Sequence, residues 1–406
     1  MSQGEKLWSR TLTLAWVVNF CLAFVFYFLM TTMALFAVER FAVSDTAGGL
    51  ASSVFVIGAT VARLFAGNLA DLLGRRRVLL VALVVGAVAA LCYVPASSLG
   101  LLLVVRALHG ITFAVASTAA MTIAQSVIPQ GRRAEGTGYF SLSMTLATAV
   151  GPALGLVVAD RGGLDSLLWV AVGAQVVGAL VALFLRPVER ELPHEERQRL
   201  RRFSPREMLH PAVLPVSMFM LLMAVCYSGV LAYLAQYGQR TGLELGTGLF
   251  FVAYAVAMFG SRFFMGRLQD VRGDNIAVQI AVLAFALGLG ALALARHDAV
   301  VVLAGVLTGL GFGTLMSAVQ AIAVSRVPRH RMGVAISTYF FMVDLGIGVG
   351  PVLLGLLLGA TGHAWMYGIC AIAVLLGAGL YHLVHGRSAG RPAVVAPEAV
   401  ESAAAR

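Results

Sequence analysis

Gly67-Asn68-Leu69-Ala70-Asp71-Leu72-Leu73-Gly74-Arg75-Arg76 closes one apolar stretch and opens the next, and Gly266-Arg267-Leu268-Gln269-Asp270-Val271-Arg272-Gly273 does the same 199 residues later (67 to 266). Working outward at that offset, Arg63 falls on Arg262, Gly110 on Gly309, Phe113 on Phe312, Pro129 on Pro328, Arg132 on Arg331, and Gly151-Pro152 on Gly350-Pro351. The coinciding residues are mostly Gly, Pro and charged, the types kept where backbones approach closely or a charge is enclosed. The chain therefore reads as two copies of one design.

The segments between these anchors are apolar. With 60% hydrophobic and 12% charged residues among 406, the composition lies outside the range of water-soluble domains. A helical span needs about 20 apolar residues, and twelve such stretches follow one another from 11–38 to 363–385. A same-direction repeat in such a chain implies a transporter whose halves rock about a shared central site. If both termini are cytoplasmic, 22 of the 29 Lys and Arg fall on the inner side, which satisfies the positive-inside rule. The net charge of +10 then belongs to topology and anionic headgroups, and no nucleic acid is needed to explain it.

The domain reading is a six-helix bundle over 1–186, a charged cytoplasmic linker over 187–210, a second six-helix bundle over 211–385 and a disordered tail over 386–406. The first apolar stretch is too long for a secretory leader and is kept as span 1. Cys21, Cys92, Cys226 and Cys370 are scattered one per span, so they read as small core residues and neither disulfides nor metal ligands are expected. A phosphate loop of the GxxxxGK type is absent from the sequence, which argues against ATP hydrolysis as the driving force. No cofactor and no enzymatic activity are expected.

The decamer at Gly67 resembles the G-x-L-a-D-r-x-G-r-r signature of the major facilitator superfamily, and the weaker copy at Gly266 sits at the matching place after span 8. The resemblance implies an all-α polytopic fold of twelve transmembrane helices in two pseudo-symmetric six-helix bundles. It also assigns Gly67, Asp71, Gly74, Arg75 and Asp270 to a latch between the halves, with Asp71 against the start of span 11 near Met332 and Gly333. Relatives often carry an acid near the inner end of span 4. This chain has Ala124, Gln125 and Ser126 there, and Glu135 is the candidate substitute partner of Arg75.

Four residues are candidates for proton coupling. Arg106 and His109 lie in span 4 in an arrangement similar to the family's R-x-x-Q-G element, with His109 in place of Gln; the resemblance links Arg106 to proton transfer. Asp344, halfway along span 11, reads as an unpaired acid suited to reversible protonation. Glu39 stands at the outer rim of span 1. Arg63 and Arg262 lie about two turns from the motifs, where snorkelling to the interface is the default explanation and binding of an anionic substrate the alternative.

Span 5 contains Gly138, Ala147, Gly151, Pro152 and Gly155, similar to the g-x8-G-x3-G-P-x2-G-G element of proton-coupled exporters, although Ala147 and Leu156 replace two glycines. Gly151, Pro152, Gly350 and Pro351 read as hinges. Spans 1, 4, 7 and 10 line the centre in this family, which nominates Asn19, Tyr27, Phe113, Tyr227, Phe312, Met316 and Gln320 as cavity residues. The reading is a proton-coupled exporter of small amphipathic organic molecules or metabolites, most similar to the bacterial drug and metabolite antiporters and acting as a monomer in the inner membrane. Its expected partners are a small-molecule substrate, protons and the lipid bilayer. A dedicated exporter of an anionic metabolite or metallophore, an uptake symporter and, remotely, a non-transporting sensor are the alternatives.

Overall fold

The computed structural model describes residues 7–43, 45–187 and 208–387. Most of the expected linker and nearly all of the expected tail lie outside the described residues. Within them the chain is helical, with no strand. The first half comprises α1 (Arg10–Phe41), α2 (Asp45–Leu73), α3 (Arg75–Leu91), α4 (Leu99–Val127), α5 (Arg133–Gly162) and α6 (Leu164–Leu183). The second comprises α7 (Leu214–Thr241), α8 (Glu244–Ser261), the short polar α9 (Met265–Arg272), α10 (Asp274–Leu294), α11 (Asp298–Ser325), α12 (Met332–Thr361) and α13 (His363–Tyr381). The eighth predicted span thus ends at Ser261 and resumes as α9 beyond a break, so predicted spans 9 to 12 are α10 to α13. Eleven described helices are long and apolar enough to cross a membrane unaided; α3 has only 17 residues.

Local chemistry sets the helix ends. Ser9 and Ser98 cap α1 and α4 by accepting from the amides of Leu12 (3.2 Å) and Leu101 (3.3 Å). The chain reverses from α2 into α3 at Gly74 (φ 94°) and from α9 into α10 at Gly273 (φ 92°). Only glycine enters that region without Cβ strain, which is why both copies of the decamer carry it.

The repeat is visible in the packing as well. A Cβ on Gly110 would lie 2.9 Å from the carbonyl carbon of Phe55, and one on Gly309 would lie 2.9 Å from that of Tyr254; 55 and 254 are themselves related by the repeat. The α2–α4 and α8–α11 crossings are thus one contact made twice, with small residues bringing the backbones together as in membrane bundles generally. Large apolar side chains face outward, among them Val81, Val84 and Val88 on α3 and Leu283 and Leu287 on α10. Two apolar surface grooves, between α8 and α11 and between α3 and α6, are lined only by Leu, Val and Ala. In hydrocarbon such a surface costs nothing; in water it would be an aggregation surface.

Candidate functional site

The two halves meet along α2 with α12, α4 with α12, and α5 with α8, α9 and α11. Two repeat-related carboxylates hold one end of this seam. Asp71, its side chain fully buried, accepts from the backbone amides of Gly333 (3.1 Å) and Val334 (3.0 Å) at the start of α12. Asp270 accepts from the amides of Ala134 (2.9 Å) and Glu135 (2.8 Å) at the start of α5. Each acid therefore neutralises the positive end of a helix belonging to the other half. Burial pushes the Asp270 carboxyl up to about 6, against the lowering effect of its two amide donors. Gly67 and Gly266 make the approach possible: a Cβ at either would collide with the partner backbone, at 2.6 Å from Gly333 C and 2.7 Å from Glu135 Cα. We call this end the motif face.

Arg75 lies 3.8 Å from Asp71 and donates from Nη2 to the carbonyl of Arg329. Glu135 is not its partner, as the sequence suggested. Both Glu135 oxygens are held by Arg132, at 2.7 and 2.8 Å. The reason is local: Arg132 and Glu135 are three residues apart at the beginning of α5, where an acid also complements the helix dipole.

Deeper between the halves, Arg63 on α2 donates from Nε to Asp344 Oδ2 on α12 at 2.8 Å. Its Nη1 reaches Thr118 Oγ1 (3.2 Å) and Ser117 Oγ (3.4 Å) on α4, and its guanidinium carbon lies 4.6 Å from the Phe340 ring centre. The Arg63 carbonyl accepts from Ser337 Oγ of α12. Arg63 is 5% exposed, so it does not snorkel, and Asp344 is not an unpaired acid. Two expectations fail together because each charge supplies the other's partner across the interface, at less cost than sending either to the membrane surface.

The Major Facilitator Superfamily model matches residues 15–351 and 245–402. The chain belongs to the major facilitator superfamily. An uncharacterized MFS-type transporter of Methanocaldococcus jannaschii is 23% identical over 367 residues, covering 88% of this chain and 93% of that protein. One of Burkholderia mallei is 26% identical over 370 residues, covering 87% of each. In fold, the chain resembles the human organic anion transporter MFSD10 (TM-score 0.76, 15% identity, 91% of this chain and 98% of that one). It also resembles the proton:xylose symporter XylE (TM-score 0.70, 13% identity, 92% and 95%).

As a superfamily member the chain is a multi-pass secondary transporter, and the remaining candidates can be placed on that fold. Arg106 is fully buried inside the first bundle. It donates from Nε to the Ala51 carbonyl (2.7 Å) and from Nη1 to Tyr93 Oη (3.4 Å), and it stacks 4.6 Å over Phe55. No described carboxylate pairs with it. The repeat does not duplicate it: at the related site Gly305 lies directly against the Phe250 backbone, whereas here the Arg106 side chain bonds the Ala51 carbonyl. His109 joins the same network, with Nδ1 2.8 Å from Tyr93 Oη and its ring edge-on to Phe55. Both residues lie away from the seam. We expect Arg106→Lys to lower the thermal midpoint of the purified protein by several degrees, since Lys lacks the planar fork, and to leave any proton-to-substrate ratio unchanged. Heat-dependent aggregation and reconstituted flux measure the two separately.

Glu39 is exposed at the end of α1 far from the motif face. Asn19 is spent within its own half, donating to Ser143 Oγ at 2.7 Å. An aromatic group does gather: Tyr227 stacks on Phe312 (4.0 Å) and Tyr254 (5.7 Å), while Phe113 stacks with Phe26 (5.2 Å), next to Tyr27. The Met316 carbonyl accepts from Tyr339 Oη (2.7 Å), and Gln320 is buried with its Nε2 unpartnered.

Pro152 and Pro351 lie inside α5 and α12, which remain helical through them. The preceding glycines let each helix press on its neighbour, Gly151 against Tyr27 and Phe28 of α1, and Gly350 against Ser228 and Val225 of α7. Sequence reading missed Arg63 as a member of the site. The usable signal was a count: among in-span charges Asp344 was the lone deep acid, and it needed a cation.

Proposed function

We propose that this chain is a proton-coupled exporter of small amphipathic organic molecules, working by alternating access in a bacterial inner membrane with the motif face towards the cytoplasm. The observation that carries this reading is the Arg63–Asp344 pair, which spans the two halves at 2.8 Å and holds the deep acid of the site. Ionised Asp344 binds Arg63 and, with the Asp71 and Asp270 latches, keeps the motif face shut. A proton accepted at Asp344 from the opposite face leaves a neutral acid that no longer holds the guanidinium. The halves then separate on the motif face, pivoting where Gly151 and Gly350 press on α1 and α7. Loss of that proton to the cytoplasm restores the pair and recloses the face around the substrate. The permanent cation of Arg63 competes with the proton for one carboxylate. The potential supplies about 2.3 kcal/mol per charge per 100 mV.

The test uses the full chain in proteoliposomes with an imposed pH gradient and a panel of amphipathic dyes and drugs. At least one compound should move against its gradient, with proton flux that depends on the compound. Transport indifferent to the gradient would overturn proton coupling, and flux of both species in the same direction would make the protein a symporter.

A further inference from the structure

The repeat that duplicates the latches does not duplicate the central ion pair. Arg262 is the counterpart of Arg63, and it meets the crossing helix of the other half in the same register. Ser337 Oγ donates to the Arg63 carbonyl, and at the matching position a Cβ on Gly138 would lie 3.6 Å from the Arg262 carbonyl oxygen. Around Arg63 stand Asp344, Ser117, Thr118 and Phe340. The positions related to these are Thr145, Met316, Ser317 and Ser141. None of them is charged, and the hydroxyls turn to their own helices: Thr145 Oγ1 donates to the Ser141 carbonyl (3.2 Å), and Ser317 Oγ to that of Thr314 (3.2 Å).

Arg262 is nevertheless only 3% exposed, and its Nε and Nη1 are buried with no hydrogen-bond partner. The phenols of Tyr254 and Tyr339 lie near it, and Tyr339 Oη is already committed to the Met316 carbonyl at 2.7 Å. An always-charged guanidinium enclosed without an acid is costly. Its planar fork matches an oxyanion, and among the described residues no carboxylate pairs with it. Beside it, Tyr254 continues into the Tyr227–Phe312 stack, an apolar wall suited to the body of a ligand.

We propose that Arg262 receives the oxyanion of the transported substrate, so that the cargo is an organic anion with an aromatic or similarly apolar body. Within the cycle proposed above, on which this inference rests, the two related arginines have different partners: Arg63 holds the chain's own carboxylate, which the proton removes, and Arg262 holds the cargo's.

The experiment measures binding to the purified full chain by calorimetry and by thermal shift. The probes are benzoate, naphthalene-2-sulfonate and phenyl phosphate, each against a neutral counterpart (benzamide, naphthalene-2-sulfonamide, phenol). The oxyanions should bind and stabilise, and the neutral counterparts should not. Arg262→Gln should weaken the oxyanions about tenfold or more, the range for loss of a charge-assisted pair, while Arg262→Lys retains part of the affinity. Thr145→Asp supplies, on the facing α5, the repeat counterpart of Asp344 that Arg262 lacks; it should raise the thermal midpoint of the empty protein and abolish oxyanion binding. Each variant decides independently of the other. Equal response to charged and neutral probes, or undiminished oxyanion binding in either Arg262→Gln or Thr145→Asp, overturns the proposal. Oxyanion binding without compound-dependent proton flux would refute the coupling scheme and leave this site standing.

Discussion

Asp344→Asn is expected to reduce gradient-driven transport by about 100-fold while the protein still inserts and folds. Asn cannot take up and release a proton, and it leaves Arg63 enclosed without its counter-charge. Removing one member of a buried pair costs about 3–5 kcal/mol, and the 22% exposure of the Asp344 side chain puts this case at the lower end; about 3 kcal/mol is about two decades in an equilibrium or a rate. The loss should not be specific to the acid. Arg63→Gln should show it as well, and the double variant should lose less than the two single losses combined, because once one charge is gone the other has nothing left to lose. Additive losses would mean the 2.8 Å contact carries no coupling. Counterflow of a transported compound, which needs no net proton movement, separates failure of the proton step from failure of substrate binding.

Gly67→Ala should shift the resting population from shut to open on the motif face. The added methyl would lie 2.6 Å from both Gly333 C and Val334 Cα, which are backbone atoms and cannot rotate away. The clash is relieved only by moving α2 off α12, and that movement also breaks the Asp71 hydrogen bonds to the Gly333 and Val334 amides. Overpacking of this kind costs about 1–3 kcal/mol, and two lost charge-assisted bonds add to it. Spin labels at Arg77 and Arg267, exposed on opposite halves of the motif face, should report a longer separation in the variant. Gly100→Ala, which has open space around it, is the control and should leave the distance unchanged. An unaltered distribution in Gly67→Ala would show that the close approach does not set the balance between states.

What could be read from the chain differed by residue, for physical reasons. The spans and the reversals at Gly74 and Gly273 follow from local properties: the length of apolar stretches, and a backbone conformation that only glycine enters freely. Asp71 could be placed against the start of α12 because its decamer resembles a family signature with a known station. Arg63, Arg106 and Glu135 could not be resolved in this way. Arg106 and Arg63 look alike in one dimension, each a cation in an apolar helix. One is stacked on Phe55 and bonded to Ala51 inside a bundle, and the other crosses to Asp344 on the opposite half. The family resemblance points Glu135 towards Arg75, whereas Arg132, three residues away, is the cation that holds it.

The sequence by itself determined that this is a duplicated twelve-span membrane chain, where it reverses at Gly74 and Gly273, and which acids sit at the joints, since hydropathy, glycine conformation and a 199-residue repeat (67 to 266) are all properties of the linear order. Only the tertiary structure decided which charge faces which. Helices that are apolar all round carry no strong periodicity to fix their rotation, so their facing is set by packing against the other half. That packing gave Arg63 an acid and, among the described residues, gave Arg262 none.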